Sequence, residues 1–301
     1  MSLADKVKRM NYLDTIDWGR LPEVLSFDRD SPMIFSSGLF LFCALLFLPT
    51  YLLLRNRTAL RILFVAAFSL FFYYESSGWY VVILLFSATM DYLIGRAMGG
   101  SDNPRVRRGL MTLSVLVNLG LLSYFKYFYF LLDLTQMALA ALGLSAPLDV
   151  PLEARDYFIP AGISFYTFQT LSYTVDIYRG EIRPLRKWID YLFYLSFFPQ
   201  LVAGPIVRAK DFIPQIHRRP QLLRAEYGEA LALIISGLIK KAIIGDFIGA
   251  NLVDQVFAEP SRFTGIENLF ATYGYAMQIY CDFSGYSDMA IGIALLLGFR
   301  F

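Results

Sequence analysis

Residues 278–299 read QIYCDFSGYSDMAIGIALLLGF, and the class of fold turns on how this stretch is taken. Nearly every position is apolar, aromatic or small, yet Asp282 and Asp288 stand inside it with Ser284 and Ser287 between them. Ionised groups among apolar residues are costly in a bilayer and ask for a partner or a water-filled cavity. One reading makes the carboxylates part of a functional passage. The other makes Asp282 or Ser284 the cap of a helix continuing to Leu297, with Asp288 near its first turn, where the dipole favours negative charge. Spacing alone leaves both open.

The rest of the chain settles the solvent. Of 301 residues 56% are hydrophobic, mean hydropathy is +0.49, and 17% are charged against about 25% in a soluble domain. Repeated long apolar runs at that length call for a polytopic, all-α membrane protein. Net charge is +2 with no basic tract interleaved with aromatics, so nucleic acid is not the partner; the lipid bilayer is. Cys43 and Cys281 lie in apolar runs and read as small buried hydrophobes, not as a disulfide or metal pair. No metal site is expected.

Residues 1–30 form a mixed-charge arm, in which Leu3, Val7, Met10, Leu13 and Ile16 suggest an amphipathic interfacial helix. Residues 31–301 form the membrane domain. Ser31–Leu54 carries no charge; further spans are expected at Ile62–Tyr74, Trp79–Leu93, Gly109–Leu132 and Tyr157–Val175, with a turn at Glu75–Gly78 and a loop at 133–156. Arginines cluster at 55–61, 96–108 and 179–186, which marks those loops as cytoplasmic and sets Glu75 and 133–156 outside. The topology is that of a multi-pass membrane protein.

Trp188–Val207 breaks the alternation. It is apolar, but both flanks are basic, and Pro199-Gln200 and Gly204-Pro205 interrupt it. Proline removes a backbone donor, and broken backbone at membrane depth is tolerated only against protein or a water-filled cavity. A re-entrant hairpin fits, with a Pro-kinked helix as the alternative. In Tyr227–Gln255, Lys240 and Lys241 follow only ten uncharged residues, so this segment is expected oblique or at the cytoplasmic face, its lysines snorkelling or binding an anionic donor. Asn268–Cys281 and Ser284–Phe299 then read as a pair of segments hinged at Asp282. The chain stops at Phe301, directly after this apolar helix and with no polar tail or cap, so a longer protein cut at Phe301 is expected.

Four blocks in order carry a resemblance: Asn118–Leu121 with Tyr124–Tyr127, Pro160–Gln169 running on to Asp176–Gly180, Phe197–Pro205, and Gly237–Lys241 with Phe283–Gly292. Together they resemble the membrane-bound O-acyltransferase (MBOAT) family, in its alginate O-acetylation and D-alanyl-transfer branch. That resemblance implies an all-helical bundle with re-entrant segments around a central channel. It implies that an acyl group, here acetyl, passes from a cytoplasmic donor such as acetyl-CoA, held as substrate with no bound cofactor. An extracytoplasmic partner protein then completes transfer to a polysaccharide such as alginate. On this basis Gln200, Pro205, Tyr280, Asp282, Ser284, Tyr286 and Asp288 are expected along the channel, and Lys240 and Lys241 toward the donor.

The family's essential histidine lies downstream of the block matched by 278–299. It is therefore expected beyond Phe301, and none of the residues above is the catalytic base. His217, the one histidine, sits in a basic loop where a solvated or headgroup contact is expected. The 301 residues are thus expected to form the donor-side half of an acyltransferase, inactive alone. A transporter or flippase would also use re-entrant segments and intramembrane carboxylates, although no internal repeat relates two halves. A non-catalytic membrane scaffold is the third reading.

Overall fold

The computed structural model describes residues 26–29, 32–144, 159–220 and 224–301; the amphipathic helix expected in the N-terminal arm and the start of the segment expected at Tyr157 lie outside them. Among the described residues there are helices and no strands. They are α1 (Gly38–Leu54), α2 (Thr58–Ser77), α3 (Val81–Gly99), α4 (Pro104–Ala141), α5 (Ile163–Arg179), α6 (Trp188–Ser196), α7 (Ala209–Ile216), α8 (Arg224–Leu238) and α9 (Gly265–Leu296), with shorter turns between. Two helical runs, Thr58–Gly99 and Pro104–Ala141, are long and apolar enough to cross a membrane, while Gly38–Leu54 is apolar but shorter.

Local chemistry fixes the helix ends. The Ser37 hydroxyl accepts from the Phe40 amide, and Asn103 accepts from Arg105 with Pro104 at the first helical position. Thr264 and Glu267 form a reciprocal capping box at the start of α9. Two expected boundaries move. The helix expected to stop at Leu132 runs on to Ala141, and the turn expected from Glu75 is helical through Ser77, the chain reversing only at Gly78 with φ +59°.

The last helix, expected to be followed by no polar tail or cap, is capped by a glycine instead. Helix α9 closes at Leu296, Gly298 takes the left-handed conformation at φ +79°, and the Phe299 amide donates back to the Ala294 carbonyl at 2.9 Å. Phe301 is half-buried, its ring 6.2 Å from those of Phe197 and Phe212. A glycine cap satisfies the last carbonyls without any polar side chain, so a search for polar residues overlooks it.

Contacts between loops sort the bundle into two ends. At the basic end, Arg61 donates to the carbonyls of Ile216 and Arg218, both at 2.8 Å, and Arg107 donates to those of Ile177 and Tyr178. There too, Arg208 pairs with Asp176 at 2.7 Å. At the opposite end the Met33 amide donates to the Glu75 carbonyl, and the Ala161 amide to the Ser77 hydroxyl. The loops grouped by their arginines are thus grouped in space. Glu75 lies at the end away from the arginine-bearing loops, with its side chain buried at 3% exposure.

A polar knot joins α3, α4 and α5. The Asp91 carboxyl is buried and accepts from Ser114 Oγ at 2.5 Å and Asn118 Nδ2 at 2.7 Å; Thr170 Oγ1 donates to Asn118 Oδ1 at 3.2 Å. Asn118 and Thr170 lie in or beside two of the blocks quoted above, so part of that pattern serves helix packing. Asn118→Leu removes a donor from a buried carboxyl and should cost about 2 kcal/mol. Thermal unfolding in detergent measures it; an unchanged midpoint would mean Asp91 finds another donor.

Candidate functional site

The site is built around a break in the backbone. Helix α6 stops at Ser196, Phe197 turns out at φ −51°, ψ 108°, a single helical turn covers Phe198–Leu201, and the chain returns extended to Arg208. The break thus falls one to two residues before the Pro199-Gln200 expected to cause it. Its freed polar groups are met by side chains. Gln169 and Gln200 both donate to the Tyr194 carbonyl, at 3.0 and 2.7 Å, Tyr194 Oη donates to the Val207 carbonyl, and Ser69 Oγ accepts from the Phe198 amide. Every side chain from Asp190 to Leu201 is buried. Both flanks meet at the basic end, where Arg208 and Lys210 reach Glu181 at 3.5 and 3.6 Å. The far tip reaches the head of α5: a Cβ on Gly162 would overlap the Leu201 carbonyl.

Because Gln169 and Gln200 share one acceptor, each backs up the other. Gln200→Leu alone should cost about 1 kcal/mol, and Gln169→Leu with Gln200→Leu clearly more than twice that, since only then is the Tyr194 carbonyl left bare. Additive melting shifts would contradict that redundancy.

Tyr286 joins this break to α9. It is 9% exposed, stacks on Phe35 at 4.5 Å, and its hydroxyl points toward the Val202 and Ala203 amides without closing a hydrogen bond. Beside it an apolar cavity of about 130 Å³ is walled by Phe35, Phe47, Phe198, Leu238 and Met289. Such a lining favours a dry space.

The carboxylates of 278–288 neither cap a helix nor mark a hinge. Helix α9 runs unbroken from Gly265 to Leu296, so there is no hinge at Asp282, and neither Asp282 nor Ser284 caps anything; Thr264 does. The charges are instead carried mid-helix by a facing pair of lysines. Lys240 Nζ bonds Asp288 Oδ2 at 2.6 Å and Ser284 Oγ at 3.0 Å; Lys241 Nζ bonds Asp282 Oδ1 at 2.8 Å and Asp246 Oδ1 at 2.6 Å. Partnering removes the cost that called for a break.

Close backbone approach makes this possible. A Cβ on Gly237 would lie 2.5 Å from the Gly285 carbonyl oxygen, and one on Gly292 would lie 2.7 Å from that of Ala230, so α8 and α9 pack antiparallel on small residues. Wide π-helical turns follow, at Ile239–Gly245, which carries both lysines, and at Gly249–Val253.

Of the expected site residues, the structure brings together Gln200 and Tyr286 at the break, and Lys240, Lys241, Asp282, Ser284 and Asp288 in the ion-paired ladder. Pro205 is half-buried on the returning stretch, whereas Tyr280 is 60% exposed on the outer face of α9, apart from both groups. Lys240 stands about fourteen residues along from Glu226, or about 20 Å at about 1.5 Å each. The two lysines thus stand well along the helical run from Glu226, which lines a cavity at the basic end. Cys43 is half-buried and Cys281 buried, both free. His217 is not simply solvated: its Nε2 lies 3.0 Å from Asp190 Oδ2. The Asp91 knot and the Gln169 contact went unread; a lone Asp amid Val81–Leu93, with Ser114/Asn118 and Thr167/Thr170/Thr174 at helical spacing, was their available signal.

A protein named "Probable alginate O-acetylase" from Pseudomonas aeruginosa is 35% identical over 274 residues, covering 89% of this chain and 50% of that protein. The chain belongs to the membrane-bound O-acyltransferase family. The peptidoglycan O-acetyltransferase of Helicobacter pylori matches this MBOAT chain at 29% over 314 residues, covering 93% of it and 57% of the relative. The teichoic acid D-alanyltransferase of Lacticaseibacillus rhamnosus matches at 30% over 146 residues, 46% of the MBOAT chain and 36% of the relative. No family model matches. The MBOAT chain spans about half the length of the curated relatives it matches.

Proposed function

We propose that this chain is the donor-side part of a membrane O-acyltransferase, passing an acetyl group from a cytoplasmic acyl-CoA across the inner membrane for O-acetylation of an extracytoplasmic polysaccharide such as alginate. The observation that carries this reading is the kinship to an alginate O-acetylase along nine-tenths of the chain. The geometry supports it: a buried, irregular backbone at 197–204 whose two flanks return to the basic end reads as a re-entrant hairpin. Gln200, Pro205 and Tyr286 stand along it, and the dry cavity beside Phe198 suits a small acyl group kept from water. Asp282, Ser284 and Asp288, held by Lys240 and Lys241, form its outer wall; Tyr280 is the weakest of these assignments, given its exposure. An extracytoplasmic partner protein receives the group. No catalytic role falls to His217, which is tied to Asp190 at the basic end.

Deleting the gene that encodes this chain should strip ester-linked acetyl from the exported polysaccharide, with polymer yield unchanged. Unaltered acetyl content in every envelope polymer would contradict the proposal.

A further inference from the structure

With Lys240 and Lys241 committed to carboxylates away from the basic end, the donor's anionic part needs another seat. The basic end holds a polar cavity of about 510 Å³ between α7, the residues after it, the start of α8 and the end of α9. Lys210, Arg218, Arg219 and Arg300 line it, against Asp211 and Glu226. Arg300 is held by Glu226, and Lys210 leans to Glu181 at 3.6 Å. Arg218 and Arg219 are exposed, and among the described residues their side chains have no ion pair.

Their backbone is fixed in advance. The Arg218 carbonyl accepts from buried Arg61, its amide donates to the Gln215 carbonyl at 3.1 Å, and the Gln215 side chain grips Arg300 through both backbone amide and carbonyl, at 2.8 and 2.9 Å. Two adjacent guanidinium forks on a rigid floor are suited to phosphate oxygens. The volume falls within the usual range for small-molecule sites.

We propose that this cavity binds the phosphate groups of a nucleotide-linked thioester donor, through Arg218 and Arg219 with Lys210 beside them. The inference rests on the acyltransferase reading. Phosphates cannot enter the apolar path, so they must be held at its mouth. The extended stretch Pro205–Arg208, which leads out of the break, runs directly into α7 and Lys210 on the cavity wall. A thioester arm anchored by its phosphates would therefore be aimed at the break.

The test uses the full chain in neutral phosphatidylcholine nanodiscs, with acetyl-CoA and S-acetylpantetheine as probes, the second lacking the nucleotide phosphates. Arg218→Gln with Arg219→Gln should weaken acetyl-CoA binding at least about tenfold while S-acetylpantetheine binding, weaker at the outset, stays the same. Both side chains being exposed, the variant should remain monodisperse. Unchanged acetyl-CoA binding in the variant would overturn the site and leave the acyltransferase reading standing. Retention of phosphatidylserine by these arginines, with acetyl-CoA bound elsewhere, would make this a headgroup site and overturn it equally. Wild-type chain that binds neither thioester would overturn the donor reading as well.

Discussion

Gly162→Ala should prevent accumulation of folded protein, by a loss above about 4 kcal/mol. Two independent causes act at one atom. Gly162 sits at φ +69°, where an L side chain is strained, and its Cβ would overlap the Leu201 carbonyl, a backbone group that cannot swing aside. Relief would require moving the head of α5 away from the tip of the broken segment, and with it the Gln169 contact to Tyr194. Gly120→Ala is the control, since nothing lies within 4 Å of its added methyl. Size-exclusion profiles of the two variants in detergent should differ as aggregate against wild-type peak. A folded Gly162→Ala protein would mean that α5 and the break are not locked together.

The second large effect is a rescue. Lys240→Met strands the Asp288 carboxylate in an apolar helix pair and should lower stability by about 2–3 kcal/mol, the scale of an unpaired charge within a membrane helix. Adding Asp288→Met removes the stranded charge, so most of that loss should return. Substituting an ion pair by apolar groups of similar size is often neutral, whereas breaking it is not. Acetylation separates the structural role from the functional one: the double variant should regain its melting midpoint but not its acetyl transfer, because the polar wall of the path is gone. Recovery of both would leave the ladder as a packing device alone.

How much of this was legible follows the range of each interaction. The loops gathered at the basic end could be read because each of them carries its own arginines, and the structure joins them through Arg61, Arg107 and Arg208. The irregular stretch at 188–207 was legible from its prolines and basic flanks. The hinge at Asp282 was misread because a charge in an apolar run looks like an interruption until its partner is known. Those partners, Lys240 and Lys241, lie more than forty residues upstream and face it only because Gly237 and Gly285 let two backbones touch. The Asp91 knot was hidden for the same reason, its three helices being joined by single polar residues. The π-turns at Ile239–Gly245 and Gly249–Val253 were not foreseen either.

Everything proposed about the path depends on the 188–207 segment entering and leaving on one side. Single cysteines at Lys187→Cys and Lys210→Cys, in a Cys43→Ser, Cys281→Ser background, can be labelled with an impermeant maleimide in sealed vesicles of each orientation. Both positions are exposed and flank the segment. The account predicts that both react only in inside-out vesicles. Reaction of one from each face would make the segment a crossing helix and contradict the account.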